Sequence, residues 1–378
     1  MTAPADLFDP AAYAAVRRPH LEAETLPPFC YTSEAFYARE VERIFLKEWN
    51  FIGRVDRIPK AGDYFALDFA GVPVVVVRGK DGVVRALANT CRHRGAKVMA
   101  GEGNCAALRC PYHSWTYALD GTLKGAPEMD ATIGFDKADF ALLPIRLETW
   151  AGFMFINFDA DAVSLMTFLG DLPEKLAPYN FEAMTCTRRA EYDLACNWKI
   201  YVENAMESYH VPTVHMSSIQ QQKRDHNPPI ATGGGYCGLF TRHEGSRAIL
   251  PGEAGFPYIP TLVGDTAEGS FYVLIYPSTM FGCTYDCMWW LELHPEGPTR
   301  TKLTVGSSFP NSIVARDDFD EVVARYYRRW DISIAEDNVI SDRQQQGLAS
   351  PFARPGRLSI MEPLVHTLGN WVLDRVLD

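Results

Sequence analysis

Two short pairs of residues, Cys91-x-His93 and Cys110-x-x-His113, constrain this chain more than any other feature. They lie in CRHRGAKVMAGEGNCAALRCPYHSW, a Gly- and Ala-rich segment with sixteen residues between the pairs. The segment is loop-like, and the question it raises is what its cysteines and histidines hold. Gly95 and Pro111 suit tight loops at hairpin tips. The sequence around them reads as short strands and turns, so the local expectation is a small β unit that brings two loops to one point.

The chain has 378 residues, enough for a large core and two domains. Its net charge of -11 argues against nucleic acid or an anionic membrane as partner and favours a protein with a basic docking patch. MTAPADLFDPAAYAAVRRPHL lacks the positive and then apolar regions of a secretory signal. No apolar run approaches the length of a membrane span. Nine cysteines, an odd number, point to a reducing cytoplasmic setting and not to a disulfide framework.

SEAFYAREVERIFLKEWNFIG predicts a helix capped by Ser33, with Phe36, Val41, Ile44, Phe45 and Trp49 at helical spacing. GDYFALDFAGVPVVVVRGKDGVVRALANTC predicts three strands, the second turn being Gly79-Lys80-Asp81-Gly82. LPEKLAPYN predicts a helix. The stretch from Thr187 to His215 predicts a strand and then a helix. FYVLIYPSTM, YDCMWWLELHP and TRTKLTVGSSF predict three antiparallel strands, and residues 312–348 one long helix. Gly233-Gly234-Gly235 predicts a flexible loop.

Two cysteines and two histidines can close a tetrahedral zinc site. They can equally hold a [2Fe–2S] cluster, with thiolates on one iron and imidazoles on the other. Zinc fingers usually pair Cys with Cys and His with His. Here each loop offers one of each, so each can supply a ligand to both irons, and the pattern resembles a Rieske domain. Structural zinc is the competing reading. Cys105, between the pairs, and Cys283 and Cys287, on or beside a strand, read as core residues.

A second constellation lies in NWKIYVENAMESYHVPTVH. On a continuous helix Glu203, Glu207 and His210 would share one face. Pro212 should end that helix near Val211 and let His215 turn back. Two histidines and a carboxylate from elsewhere can form a 2-His-1-carboxylate triad, which leaves positions open for dioxygen on Fe(II). On the long helix, Tyr326, Trp330, Ile334 and Asp337 follow a largely apolar stripe. Asp331, Ala335, Asn338 and Asp342 follow a polar one. A buried carboxylate needs a partner, so Asp337 is the expected third ligand and not Asp342.

Together these residues resemble the catalytic α subunit of a Rieske non-haem iron oxygenase. The likeness extends over nearly the whole chain and includes ED…Q-x-G at Glu336-Asp337…Gln345…Gly347. It implies an α+β fold: an all-β Rieske [2Fe–2S] domain over residues 48–160, and a catalytic domain of helix-grip type, an antiparallel sheet flanked by helices, from residues 1–47 and 161–378. Cys91, His93, Cys110 and His113 would hold the cluster, and His210, His215 and Asp337 the mononuclear iron. Asn204 and Glu207 would assist catalysis. Glu207 would bridge to His113 of the neighbouring subunit in a head-to-tail homotrimer.

The family usually has Asp at the position of Glu207. Glu there resembles the branch that oxidises quaternary ammonium compounds, such as betaine and carnitine oxygenases. The implied activity is hydroxylation of a small organic substrate by dioxygen, leading to N- or O-dealkylation. The rivals are ring cis-dihydroxylation, an electron carrier with an inert second domain, and a zinc-stapled binding protein. No nucleotide fingerprint occurs, so NAD(P)H electrons would come through a separate flavin reductase, directly or by way of a ferredoxin. The substrate pocket is expected between the sheet and the loop-rich 220–265 region. Tyr272 with Tyr276, and one of Trp289 and Trp290, would form either a cage for a methylammonium group or plain core.

Overall fold

A computed structural model of the chain describes residues 6–219 and 228–377. Two compact units emerge: Lys47–Ala162, and a second that joins the segment before Lys47 to the segment from Val163 onward.

The Lys47–Ala162 unit is all β. Its seven-stranded antiparallel sheet runs in the order Asn50–Arg54, Phe153–Asn157, Pro144–Trp150, Val84–Ala88, Val72–Arg78, Asp63–Phe69, Glu102–Asn104. A three-stranded sheet of Leu108–Arg109, Thr116–Tyr117 and Leu123–Gly125 carries the Cys110 loop. The valine run explains the packing. Successive side chains on a strand point to opposite faces. Val75 and Val77 therefore join the core around Cys91, Cys110, Trp115 and Tyr117. Val74 and Val76 join a second core with Ile52, Phe65, Met154 and Ile156.

In the other unit a six-stranded antiparallel sheet runs in the order Met184–Leu194, Arg300–Pro310, Met288–Gly297, Thr279–Cys283, Gly269–Ile275, Tyr236–Arg242. It has one more strand than expected between Phe271 and Pro295. Pro277 cannot donate to a ladder, so FYVLIYPSTM breaks after Ile275 and Thr279–Cys283 returns beside it. The long helix also departs from expectation. It begins at Phe319, after a short helix Asn311–Val314. Arg316 and Asp318 clasp each other in the intervening turn. The N-terminal helix ends at Phe45, so Trp49 lies beyond it. Gly233–Gly235 is closely packed: a Cβ on Gly234 would strike the Leu169 carbonyl, and one on Gly235 the Phe168 ring.

Helix Trp198–Ala205 is buried along most of its length and anchors the unit. Asn197 caps it by accepting the Lys199 N–H at 3.1 Å. The Lys199 ammonium reaches Glu40 at 2.5 Å, with both side chains fully buried. The Trp198 indole donates to the same carboxylate at 3.2 Å. Burial pushes the Glu40 carboxyl up and Lys199 opposes it. Among the described residues no helix is long and apolar enough to cross a membrane.

Breaking a buried pair strands a charge, at about 3–5 kcal/mol. Lys199→Met should therefore lower the unfolding free energy by about that much in urea denaturation. The double variant Glu40→Gln/Lys199→Met should lose clearly less, and equal losses would show that the stranded charge is not the cause.

Candidate active site

The two loops of the β unit are built alike. Gly95 N–H donates to the Cys91 carbonyl at 2.9 Å, and Ser114 N–H to the Cys110 carbonyl at 3.1 Å. Gly95 and Ser114 both adopt left-handed backbone, with φ of 77° and 59°. The cysteines are buried, His93 is half-buried and His113 is exposed. The two imidazoles lie 4.8 Å apart, and His93 stacks on Trp115 at 5.0 Å. Tyr117 Oη accepts the Arg92 N–H at 3.0 Å and forms a further hydrogen bond with Cys91 Sγ at 3.3 Å.

These residues fit a cluster better than zinc. His93 Nδ1 is buried with no hydrogen-bond partner, a costly state for a ring nitrogen unless a metal bond uses it. Each loop sets one buried cysteine beside one more exposed histidine, the pairing a two-iron cluster uses, with thiolates on one iron and imidazoles on the other.

The second site does not sit on a continuous helix. Helix Trp198–Ala205 stops before Glu207, and Pro212 opens the next short helix, Val211–Val214. Proline at a first helical turn loses no hydrogen bond, so it starts a helix more easily than it ends one. Glu207 holds the break by accepting the N–H groups of Tyr209 and His210. Glu203 therefore leaves the face expected for it. It is buried against the Tyr31 hydroxyl at 2.7 Å, and burial pushes its carboxyl up to about 7.

The break turns two imidazoles toward each other. His210 Nδ1 lies 2.6 Å from Glu207 Oε1, and His215 Nδ1 lies 2.7 Å from Glu336 Oε2. Each carboxylate can accept a proton from Nδ1, the tautomer that leaves a lone pair on Nε2 for a metal ion. The two Nε2 atoms face each other at 3.3 Å, with Asp337 Oδ1 at 3.2 Å from His215 and 3.6 Å from His210. Three electron-rich atoms at this spacing repel one another unless a cation lies among them. A triangle of these sides has its centre about 2 Å from each corner, the length of a metal–imidazole bond. The donor set and its spacing thus fit a mononuclear metal ion. Asn204 Nδ2 donates to Asp337 Oδ1 at 3.2 Å and fixes that carboxylate. Burial lowers the His215 pKa, but Asp337 and Glu336 outweigh it and hold the ring above its ordinary value. Asp342 points elsewhere and accepts the Ala195 N–H at 3.1 Å.

Glu336 was not foreseen as a partner of His215, although its place beside Asp337 put it within reach. Ser217 and Ser218 donate to its carboxylate at 3.2 and 2.6 Å.

A cavity of about 190 Å³ opens onto the triad. Tyr272, Trp289, Trp330, Arg247 and Arg329 line it beyond the ligands. Trp289 pairs with Gly282 across the ladder and lies over it, where a Cβ would collide. Trp290 does the same over Gly306 on the opposite face and lies outside the cavity. Tyr276 also stays out: it follows the end of its strand and stacks on Trp371 at 4.4 Å. Part of the expected loop wall, residues 220–227, lies outside the described residues.

A family model for the ring-hydroxylating α subunit, catalytic domain, matches residues 181–378. One for the Rieske [2Fe–2S] domain matches residues 48–146. The chain belongs to the α subunits of the Rieske-type ring-hydroxylating oxygenases, and is an oxidoreductase that incorporates oxygen from dioxygen with electrons supplied through a separate reductase. It is 28% identical to chloroplastic choline monooxygenase of Spinacia oleracea over 94% of this chain and 79% of that one. It is also 28% identical to the glycine betaine monooxygenase oxygenase subunit of Pseudomonas aeruginosa strain UCBPP-PA14, over 99% and 94% of the two chains. The solved structure of the quaternary ammonium Rieske monooxygenase CntA with its substrate γ-butyrobetaine superposes with a TM-score of 0.79 at 25% identity, over 96% of this chain and 97% of that one.

Anaerobically purified protein should carry iron and acid-labile sulfide at about three to two, the sum of one [2Fe–2S] cluster and one iron. Asp337→Ala should reduce that ratio to about one to one and keep the cluster spectrum. Asp342→Ala should keep the full iron content and lose only about 1 kcal/mol of stability. Iron loss in the Asp342 variant would overturn the ligand assignment.

Proposed function

We propose that this oxygenase dealkylates a quaternary ammonium compound by hydroxylating a carbon bonded to its nitrogen. The carrying observation is the aromatic wall of Tyr272, Trp289 and Trp330 in a cavity that ends at the His210–His215–Asp337 triad. Aromatic faces attract a methylated ammonium by about 0.5–2 kcal/mol each. The names of the relatives point the same way: one acts on choline, another on glycine betaine, and CntA was solved with γ-butyrobetaine as substrate. Glu207 in place of the usual Asp weighs against ring cis-dihydroxylation. An inert second domain leaves the assembled triad without a purpose.

Cys91, His93, Cys110 and His113 would hold the [2Fe–2S] cluster, and His210, His215 and Asp337 the mononuclear iron. Bound there, the cluster supplies single electrons and the iron supplies dioxygen activation. The chain does the rest. Glu207 and Glu336 keep the two imidazoles aimed. Asn204 restrains Asp337. The aromatic wall excludes water and presents an N-alkyl carbon. One oxygen atom enters a C–H bond of that carbon and the other leaves as water, using two electrons and two protons. The hydroxylated carbon then separates as an aldehyde, leaving the dealkylated amine.

The electron route we propose crosses between subunits of a head-to-tail homotrimer, from His113 of one subunit to Glu207 of the next. The exposure of His113 and Tyr112 above buried cysteines supports it. The reductase delivers NAD(P)H electrons directly or through a ferredoxin. The nine free cysteines support a cytoplasmic setting.

Oxygen uptake with choline, glycine betaine, carnitine and γ-butyrobetaine, followed by product analysis, tests the reaction. An aldehyde and a dealkylated amine in equal amounts are expected. A cis-diol formed from an arene as the main product rejects the proposal.

Glu207→Gln replaces one acceptor oxygen with a donor amide. Both metal centres should still load and the cluster should still be reducible, yet turnover should fall at least tenfold, the equivalent of about 1.5 kcal/mol from one charged hydrogen bond. In single-turnover mixing with oxygen and substrate, cluster reoxidation at the wild-type rate would remove Glu207 from the route.

A further inference from the structure

The cavity holds two guanidinium groups that no carboxylate contacts directly among the described residues. Arg329 lines it and is more than nine-tenths buried. Its Nη1 donates to Ser333 Oγ at 3.2 Å, and its Nε is buried without a partner. Its guanidinium lies 5.4 Å from the Trp289 ring. Arg247 lines the same cavity, and its Nε is likewise buried and unpartnered. Among the described residues neither arginine forms an ion pair. Burial lowers the Arg329 pKa and the nearby Arg247 charge lowers it further, while Tyr272 and Asp337 oppose the shift. A buried charge of this kind is costly until a counter-ion reaches it. The carboxylates on the cavity wall, Glu207 and Asp337, are committed to His210 and to the triad.

The long helix sets the distance between the two ends. Arg329, Ser333 and Asp337 recur at four-residue steps and so lie along one face. Eight residues separate the first from the last, a rise of about 12 Å. The aromatic side chains Trp289 and Tyr272 line the same cavity beside the arginines, with Trp289 5.4 Å from the Arg329 guanidinium.

We infer that Arg329, with Arg247, forms a carboxylate subsite, and that the substrate is a zwitterion whose carboxylate binds there while its ammonium lies against Tyr272 and Trp289. The inference rests on the quaternary ammonium reading and narrows it. Glycine betaine, carnitine and γ-butyrobetaine carry such a carboxylate, whereas choline carries a hydroxyl in its place. The guanidinium fork suits a carboxylate's two oxygens and leaves a neutral ester poorly bound.

The test is calorimetric titration of the iron-loaded enzyme with γ-butyrobetaine, its methyl ester and choline. The acid should bind at least tenfold more tightly than the ester and than choline. In Arg329→Gln that preference should shrink to within about threefold, and Arg329→Lys should restore part of it. Arg247→Gln, at a less buried position, provides the same reading if the Arg329 variants do not fold. Equal binding of acid and ester by the wild type, or a preference that survives in both glutamine variants, overturns the subsite. If no ammonium compound binds, the substrate class is wrong, and benzoate against methyl benzoate then decides the subsite alone. An acid preference lost in either glutamine variant sustains it, and no preference overturns it.

Discussion

Two imidazole nitrogens and a carboxylate oxygen crowded to between 3.2 and 3.6 Å of one another call for positive charge among them. The second unit is arranged around that constraint. Glu207 and Glu336 grip the far sides of the rings, and Asn204 steadies Asp337. Each of these contacts costs little alone, and together they leave the rings one orientation. The helix that carries Glu336 and Asp337 is fixed in turn by its apolar stripe, in which Tyr326, Trp330 and Ile334 are all buried.

The β unit answers a different constraint. A cluster that exchanges electrons must be sheltered on one side and open on the other. The two loops would achieve this with paired turns, buried cysteines and more exposed histidines. Tyr117 Oη lies within hydrogen-bond distance of the Cys91 sulfur, and hydrogen bonds to the sulfurs are one of the terms that set the potential of such a cluster.

Much of this was legible in the sequence, and particular residues show why. The Cys91–His93 and Cys110–His113 pairs are local, so their spacing marks the Rieske domain that the family model matches. The stripe that separates Asp337 from Asp342 is a property of one helix, and the structure sets the first beside His215 and the second beside Ala195. The misses are non-local or turn on backbone breaks. Helical periodicity across Met206 carried Glu203 onto the wrong face, because Pro212 fits a helix start as well as a helix end. Tyr276 was grouped with Tyr272 on strand parity that stops at Ile275. The contact of Glu336 with His215, and the placing of Arg247 and Arg329 in the cavity, depend on distant segments meeting, which spacing along one element does not carry.

The placement of Arg329 and Asp337 on one unbroken helix has a further meaning. Both ends of the cavity are fastened to the same rigid rod, so their separation is not free to drift. Positions that face the cavity recur only every three or four residues, about 5 Å along the axis. Changes in the length of molecule accepted would then come in strides of that size, roughly four carbon–carbon bonds. Finer adjustment falls to the aromatic side chains that line the cavity. In such a molecule the helix is a ruler with coarse graduations, and the sheet facing it does the interpolation.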